Sequence, residues 1–157
     1  MRTGSEWIGH NYQKLITRSY LLLTNLKYIL DHNIVSLSPE EVLTYQVQEF
    51  NKGNTDFLMA LYEKEACLSP RPGEIDNDSA SIRRSFQGLI DMGAKLQANK
   101  KRVLYSGNLA LLITEWTLVG TDPSGKSINL AGRGTIVFRR QPDGNWLMVI
   151  ENPWGTE

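Results

Sequence analysis

The sequence of 157 residues predicts a single α+β domain preceded by an N-terminal appendage, with the helices of the domain first and a mostly antiparallel sheet last. Between residues 39 and 92, apolar side chains recur at the three-to-four spacing of helices. From Ala94 onward they recur at every second position, which is the spacing of half-buried strands. Two of the later apolar runs flank the turn Pro142-Asp143-Gly144-Asn145, a sequence typical of a tight hairpin. These three observations indicate helices that cover one face of a meandering sheet.

The first helix has the clearest start in the chain. In Ser38-Pro39-Glu40-Glu41 the serine can cap the helix, the proline fits the first helical position, and the acids suit the first turn. The helical spacing continues until Gly53, which favours the end of the helix there. We therefore place the folded domain at residues 38–157 and treat residues 1–37 as an N-terminal appendage.

Two more helices and a short strand complete the first half of the domain. A short second helix is predicted to run to Tyr62, and an extended segment follows near Ala66 to Leu68. A third helix begins at Asp78 or Ser79, either of which can cap it. The strand-like runs that follow are residues 95–98, 102–107, 109–120, 127–140 and 145–152.

The appendage has the pattern of an amphipathic helix. Ile16, Tyr20, Leu23 and Leu30 keep helical spacing, so this helix would pack on the domain or on a partner; a disordered N-terminus is the alternative. The apolar stretch from residue 20 to residue 30 is about half as long as a bilayer span, and no signal-peptide cleavage site follows it. We expect no membrane span and a cytoplasmic location.

Charge and composition exclude several classes of function. Lysine plus arginine equals aspartate plus glutamate at 17 each, so no net field attracts nucleic acid. Cys67 is the only cysteine and cannot form an intrachain disulfide. His10 and His32 both lie in the appendage, so the domain lacks the usual residue of Ser-His or Cys-His nucleophiles and of zinc sites. We expect no metal and no cofactor, and acid–base chemistry would come from carboxylates, tyrosines or lysines.

Alternation within the strands divides the sheet into two faces. The more apolar set, which includes Trp116, Ile136 and Met148, is expected to face the helices. The opposite face mixes apolar and charged residues, which favours contact with a partner. A homodimer is our expectation, and a solvated surface is the alternative. The residues expected in this interface are Glu115, Arg133, Val137, Val149 and Glu151.

Gly132 and Gly134 lie two residues apart on the face predicted to meet the helices. Glycine weakens a strand unless a bend or a close approach needs the missing side chain. Bending of the sheet is the simpler explanation, and a cavity that opens beside Trp116 is the other one.

The closing segment of the chain carries a family resemblance. Its pattern, Arg139-Arg140-x-x-Asp143-Gly144-x-Trp146 followed by Asn152-Pro153, together with the order of the helices, resembles the SnoaL-like and ketosteroid-isomerase-like branches of the nuclear transport factor two superfamily. The resemblance covers about residues 38–155. It implies a cone-shaped, cystatin-like roll of three helices on a strongly curved sheet, which encloses an apolar pocket, commonly in a dimer. Members include isomerases, polyketide cyclases and dehydratases as well as binding and association proteins, so the fold does not name the chemistry.

Enzymes of the ketosteroid-isomerase type need a buried carboxylate as proton shuttle and a tyrosine or protonated acid as oxyanion donor. The predicted inner face carries no Asp or Glu, so the candidates lie on helices. Asp56, at the start of the second helix, is the best-placed general base, although an acid there also suits a helix N-terminus. Tyr45 and Tyr62 are the candidate oxyanion donors, and Asp91 and Glu63 are reserves.

The remaining candidates are expected to bind a ligand. Trp116 would line the pocket, or only pack in the core. Asn152 would orient a ligand carbonyl, or cap the end of the last strand. Phe86, Leu112 and Met148 complete the predicted pocket. We therefore expect a protein that binds a small apolar molecule. A proton-shuttling isomerase, cyclase or dehydratase is the alternative, and an association module is a further one.

Overall fold

The computed structural model describes residues 36–155, so the predicted helix of the appendage lies outside the described residues. Within this range the chain forms three helices and five strands. In chain order they are α1 (Pro39–Lys52), α2 (Thr55–Ala60), β1 (Tyr62–Leu68), α3 (Ser79–Asp91), β2 (Lys95–Ser106), β3 (Leu109–Thr121), β4 (Ser127–Arg140) and β5 (Trp146–Asn152). No helix within residues 36–155 is long and apolar enough to cross a bilayer.

The helix starts follow the capping residues that the sequence predicts. Ser38 accepts a hydrogen bond from the backbone N–H of Glu41, whose carboxylate accepts one in return from the N–H of Ser38. Gly53 ends α1 in the left-handed conformation, with φ of 77°. Asp78 caps α3 by accepting from the N–H groups of Ala80 and Ser81.

The second helix is shorter than predicted. It ends at Ala60, and Tyr62 is the first residue of β1 instead of the last residue of a helix. The carbonyl of Leu61 accepts from the N–H of Met148, which draws the chain into the sheet at this point. The apolar spacing of Leu58, Leu61 and Tyr62 fits a helix locally, but pairing with a distant strand ends it.

All five strands form one sheet in the order β1-β5-β4-β3-β2. β1 runs parallel to β5, and the other neighbours are antiparallel. The predicted strand-like runs at residues 95–98 and 102–107 belong to one strand, β2, which has a register shift between Lys100 and Arg102. This arrangement confirms the predicted α+β class with three helices and a mostly antiparallel sheet.

One end of the inner sheet face forms a tightly filled core. Leu112 of β3, Phe138 of β4 and Met148 of β5 have no solvent exposure. Phe138 pairs with Ala110 on one side and with Met148 on the other, so these side chains share the face that the helices cover. The predicted inner faces of β3 and β4 are therefore confirmed.

The inner face of β5 differs from the prediction because the strand contains a bulge. Val137 of β4 pairs with Ile150, whereas the next residue, Phe138, pairs with Met148, so Val149 is an extra residue in β5. The extra residue reverses the alternation beyond it, and Glu151 pairs with the inward-facing Ile136. The prediction that Glu151 lies on the outer face is wrong.

Candidate functional site

A cavity of about 670 Å³ lies between the inner sheet face, α1 and α3. Its walls are mostly apolar, with a few polar groups at one end, which is typical of small-molecule sites. Exposed residues of the segment between β1 and α3, including Arg71 and Glu74, form its mouth. The residues of its wall include Gln46, Phe86, Leu89, Met92, Leu96, Trp116, Leu118, Leu130, Glu151, Asn152 and Trp154.

Two glycines of β4 allow other parts of the chain to lie directly against the sheet. A Cβ atom at Gly132 would lie 2.9 Å from the Trp116 ring, and one at Gly134 would lie 2.9 Å from the Cα atom of Pro153. Any side chain at these positions would displace the ring or the backbone. Both glycines are therefore explained by close approach, and the cavity opens beside Trp116.

The turn after β5 forms one wall of the cavity. Trp116 donates from Nε1 to the carbonyl of Pro153 over 2.7 Å, and its ring meets that of Trp154 edge to face with centroids 5.3 Å apart. Asn152 donates to the carbonyl of Gly155 and accepts from the N–H of Trp154. The amide of Asn152 thus holds the turn, which is the structural alternative to binding a ligand.

A glutamate, a tyrosine and a glutamine meet at the polar end of the cavity. The Tyr62 hydroxyl donates to the Glu151 carboxylate. Gln46 of α1 donates from Nε2, which lies 3.0 Å from the tyrosine oxygen and 3.0 and 3.1 Å from the two carboxylate oxygens. Gln46 and Tyr62 are buried, whereas Glu151 is half-buried and lines the cavity.

This environment shifts the proton affinity of both acidic groups. Burial raises the pKa of Glu151, and the hydrogen bonds from Tyr62 and Gln46 offset part of that effect by stabilising the carboxylate. Burial and the neighbouring charge of Glu151 raise the pKa of Tyr62 well above its ordinary value. Glu151 can therefore take up or release a proton inside an apolar cavity, whereas Tyr62 stays protonated and donates.

The predicted base, Asp56, lies elsewhere. Its side chain is 76% exposed and forms an ion pair with Arg83 of α3 over 2.7 Å. It does not line the cavity, so the expectation that places it there is wrong. Asp56 lies in the first turn of α2, where a negative charge stabilises the helix start. Its ion pair with Arg83 also connects α2 to α3.

The other predicted side chains divide between the cavity and the core. Phe86, Trp116 and Asn152 line the cavity, and Tyr62 contacts it through Glu151. Leu112 and Met148 are buried in the filled core and do not line it. Tyr45 also lies away from the cavity walls, with its ring 6.2 Å from that of Phe57.

The two reserve acids are held by other partners. Asp91 accepts from Gln87 on the same helix. Glu63 accepts from Arg139 and Gln141. Neither lines the cavity.

Sequence reasoning missed Gln46 and Glu151. Gln46 had a usable signal, because it lies on the apolar side of α1 between Val42 and Phe50 at helical spacing. A buried polar group in such a stripe needs a partner, and here the partners are Tyr62 and Glu151. Glu151 had no local signal, since its direction depends on a bulge set by the pairing of two strands.

Two further polar features bear on what the site can hold. The indole Nε1 of Trp154, a wall residue, is buried and has no acceptor among the described residues. Within residues 36–155, no three His, Cys, Asp or Glu side chains cluster in a way that could hold a metal ion.

The outer face of the sheet carries exposed apolar side chains around a charged centre. Leu104, Leu109, Val119 and Ile150 are each between 40% and 49% exposed. Glu115 forms ion pairs with Lys101 over 2.5 Å and with Arg133 over 2.9 Å. Glu115 and Arg133 thus pair with each other within one copy of the chain. Of the predicted interface, Glu115, Arg133 and Val137 remain on this side, and Val149 is the extra residue of the β5 bulge.

Comparisons with solved structures identify the fold. A nuclear transport factor two-like protein with a cystatin-like fold from Novosphingobium aromaticivorans is 17% identical, with a TM-score of 0.63 over 87% of this chain and 88% of that chain. A ketosteroid isomerase-like protein from Erwinia carotovora atroseptica is 14% identical, with a TM-score of 0.64 over 72% of this chain and 89% of that chain.

A putative calcium/calmodulin dependent protein kinase II association domain from Xanthomonas campestris is also similar. It is 19% identical, with a TM-score of 0.60 over 73% of this chain and 83% of that chain. No protein-family model matches the chain, and a search of curated proteins found no significant match. The chain therefore has the nuclear transport factor two-like, cystatin-like fold, and its activity has to be argued from the site.

Proposed function

We propose that the protein binds a small, largely apolar molecule in the cavity and that Glu151 exchanges a proton with it. The observation that carries this proposal is the position of Glu151, a carboxylate with a raised pKa on the wall of an apolar cavity. A carboxylate in water has a pKa too low for efficient proton transfer near neutral pH, and burial of Glu151 shifts its pKa in the direction that reduces this mismatch. The proposal replaces Asp56 by Glu151 as the base.

The proposed reaction is proton transfer at a carbon next to a carbonyl group, the step that isomerases, cyclases and dehydratases share. Glu151 takes the proton, the C–H electron pair moves into the carbonyl group, and the oxygen gains negative charge; return of the proton to carbon restores the base. Tyr62 and Gln46 hold the carboxylate through the hydrogen bonds described above. The Trp154 N–H lacks an acceptor among residues 36–155 but is buried in the wall, so it would donate to the ligand oxygen only after the indole turns toward the cavity.

Deuterium exchange tests this proposal without knowledge of the natural substrate. A panel of apolar cyclic ketones, beginning with α-tetralone, is incubated with the full chain in D₂O, and loss of the α-proton signal is followed by proton NMR. We expect exchange above the buffer rate and a fall of about 100-fold or more in Glu151→Gln, the range for loss of a general base. Asp56→Asn is the matched control and should leave the rate unchanged.

The pH dependence of exchange identifies the base. The rate should rise with pH through the raised pKa of Glu151, because only the carboxylate accepts a proton. Tyr62→Phe removes a hydrogen bond that stabilises the carboxylate, so the inflection should move to higher pH. Exchange that persists in Glu151→Gln would contradict the proposal. Ketones that bind without exchange would leave a binding protein without catalysis, our first expectation from the sequence.

We also propose that two copies of the chain pair through the outer sheet face, where the exposed apolar side chains lie. Sedimentation velocity of the full chain should give the mass of a dimer. Ile150→Lys places a charge in the face and should yield monomers, whereas Ile75→Lys, at an exposed loop residue, should leave the dimer intact. A monomeric wild type would refute this assembly. An association role through the appendage would instead be lost on deletion of residues 1–35.

A further inference from the structure

The face of α3 that lines the cavity is polar in its first half and apolar in its second. Ser81, Arg84 and Ser85 line the cavity near the start of the helix, and Leu89 and Met92 line it near the end. Ser81, Ser85, Leu89 and Met92 are spaced by three or four along the chain and Arg84 is next to Ser85, so these residues lie on one side of the helix. A ligand lying along α3 therefore meets two different surfaces.

The polar half of α3 is connected to the end of the cavity that holds Glu151. Leu68 pairs with Glu151 in the sheet and exchanges two backbone hydrogen bonds of 2.8 Å with Asp76. Ser85 of α3 then donates to the carboxylate of Asp76 over 2.6 Å. Arg84 precedes Ser85 in α3 and lines the same cavity as the proposed base.

The acids at this end already have donors from the chain itself. Glu151 accepts from Tyr62 and Gln46, and Asp76 accepts from Ser85. The arginines of this region differ in whether a carboxylate lies close to the guanidinium group. Arg71, at the mouth, lies 3.6 Å from the carboxylate of Glu74.

Arg84 differs from both Arg71 and its neighbour Arg83. Arg83 is paired with Asp56, whereas no carboxylate among residues 36–155 lies within 4.0 Å of the Arg84 guanidinium. Asp78 exerts a charge interaction on Arg84, but its carboxylate is used to cap the start of α3. Arg84 is therefore an exposed cation on the cavity wall that has no carboxylate partner within 4.0 Å among the described residues.

Gly88, one turn beyond Arg84, leaves room for the body of such a ligand. A Cβ atom at this position would have no other atom within 4 Å, and the residue lines the cavity. Gly88 is exposed, so the space beside the helix between Arg84 and the apolar pair Leu89 and Met92 is open to solvent as well as to the cavity.

We infer that the ligand of this cavity is an amphipathic oxyanion, whose carboxylate or similar group binds Arg84 while its apolar body lies over Gly88 toward Leu89 and Met92. Guanidinium groups pair with such oxyanions through charge-assisted hydrogen bonds. This inference rests on the proposed function, because it names the class of molecule that the same cavity binds.

Two fluorescent probes with the same skeleton test the inference. 1-Anilinonaphthalene-8-sulfonate carries an anionic group, and N-phenyl-1-naphthylamine lacks it. Dissociation constants of both probes are measured for the full chain, Arg84→Gln, Arg84→Lys and Arg83→Gln. We expect Arg84→Gln to weaken binding of the sulfonate about five- to tenfold and to change binding of the neutral probe less than about twofold. Arg84→Lys should restore part of the loss, and Arg83→Gln should change neither probe.

A cavity-filling variant locates the probes. Gly88→Leu adds a side chain where the cavity has open space and should weaken both probes. Equal losses of both probes in Arg84→Gln, no loss, or the same loss in Arg83→Gln would overturn the role of Arg84 while leaving the binding cavity intact. Failure of the wild type to bind either probe, or binding that Gly88→Leu does not affect, would instead overturn the proposed binding function and this inference with it.

Discussion

The inner face of the sheet is filled at one end and hollow at the other. At the filled end, Leu112, Phe138 and Met148 are completely buried. At the hollow end, β4 carries Gly132 and Gly134 opposite Trp116 and Thr114 of β3. Both ends belong to the same strands and face the same layer of helices. The difference therefore comes from side-chain volume and local register, and not from a change in architecture.

Two local features produce the hollow end. The glycines let Trp116 and the turn at Pro153 lie on the sheet, where they form a wall beside the cavity instead of filling it. The bulge at Val149 then turns Glu151 inward. A strand can thus contribute a core residue, Met148, and three residues later a polar residue of a site.

The largest expected effect is a difference in unfolding free energy between a variant at the filled end and one at the hollow end. Phe138→Ala removes a fully buried ring and should lower the free energy of unfolding by about 3–5 kcal/mol. Leu130→Ala, at a cavity wall residue that is 40% exposed, should cost about 1 kcal/mol or less. Urea unfolding followed by circular dichroism measures both. Equal losses would mean that the hollow end is packed as tightly as the filled one.

A second pair of variants tests the close approach at the glycines. Gly134→Ala places a methyl group 2.9 Å from a backbone atom of Pro153 and should cost about 1–3 kcal/mol in unfolding free energy. Gly88→Ala, in open space on α3, should be neutral or stabilising by up to about 1 kcal/mol because alanine favours helix. A tolerated Gly134→Ala would show that the turn can move away from the sheet.

A third prediction concerns the dependence of stability on pH. Because burial raises the pKa of Glu151 in the folded state, the unfolded chain loses this proton at lower pH than the folded chain does. The stability that this group contributes is therefore lost as the pH rises from the ordinary pKa of 4.5 through the raised pKa. The loss is about 1.4 kcal/mol for each pKa unit that separates these two values.

Comparison with an isosteric variant isolates this effect. Glu151→Gln lacks the titrating group. Its free energy of unfolding should therefore increase relative to that of the wild type as the pH rises through this range, and the difference should be constant at higher pH. Urea unfolding of both proteins between pH 4 and 8 measures the difference, with Glu74→Gln as an exposed control at the mouth. A difference that shrinks with rising pH would mean that the carboxylate is stabilised by its surroundings.

The smallest expected effect is at Asp56, outside both ends of the inner face. Its exposed ion pair with Arg83 should contribute no more than about 0.5 kcal/mol, so Asp56→Asn should unfold nearly as the wild type does. Probe binding should also be unchanged. A loss of binding in this variant would connect α2 to the cavity, which its position does not predict.

The parts of the fold that depend on nearby residues could be predicted from the sequence. Ser38 and Asp78 cap their helices through residues two or three positions away, and the alternation of β3 and β4 continues through the inward-facing residues that form both ends. The family resemblance also predicted the class of fold that the comparisons identify.

The parts of the fold that depend on pairing between distant residues could not be predicted from the sequence. The inward direction of Glu151 requires an extra residue opposite β4, and the early end of α2 requires the pairing of Tyr62 with Met148. The sequence marks neither of these events locally. Asp56 illustrates the converse, because its place at the start of a helix suggested a general base, and no local pattern indicated its partner Arg83 on another helix.

The parallel pairing of β1 with β5 has a consequence for biosynthesis. Tyr62 and Glu151 are 89 positions apart, so their contact closes a long loop and forms only after most of the domain has been translated. A nascent chain that has not yet reached β5 lacks the neighbour of β1 and the carboxylate of the site. The proposed ligand binding therefore requires translation through β5, and a ribosome-stalled or truncated product that ends before Trp146 should fail to bind.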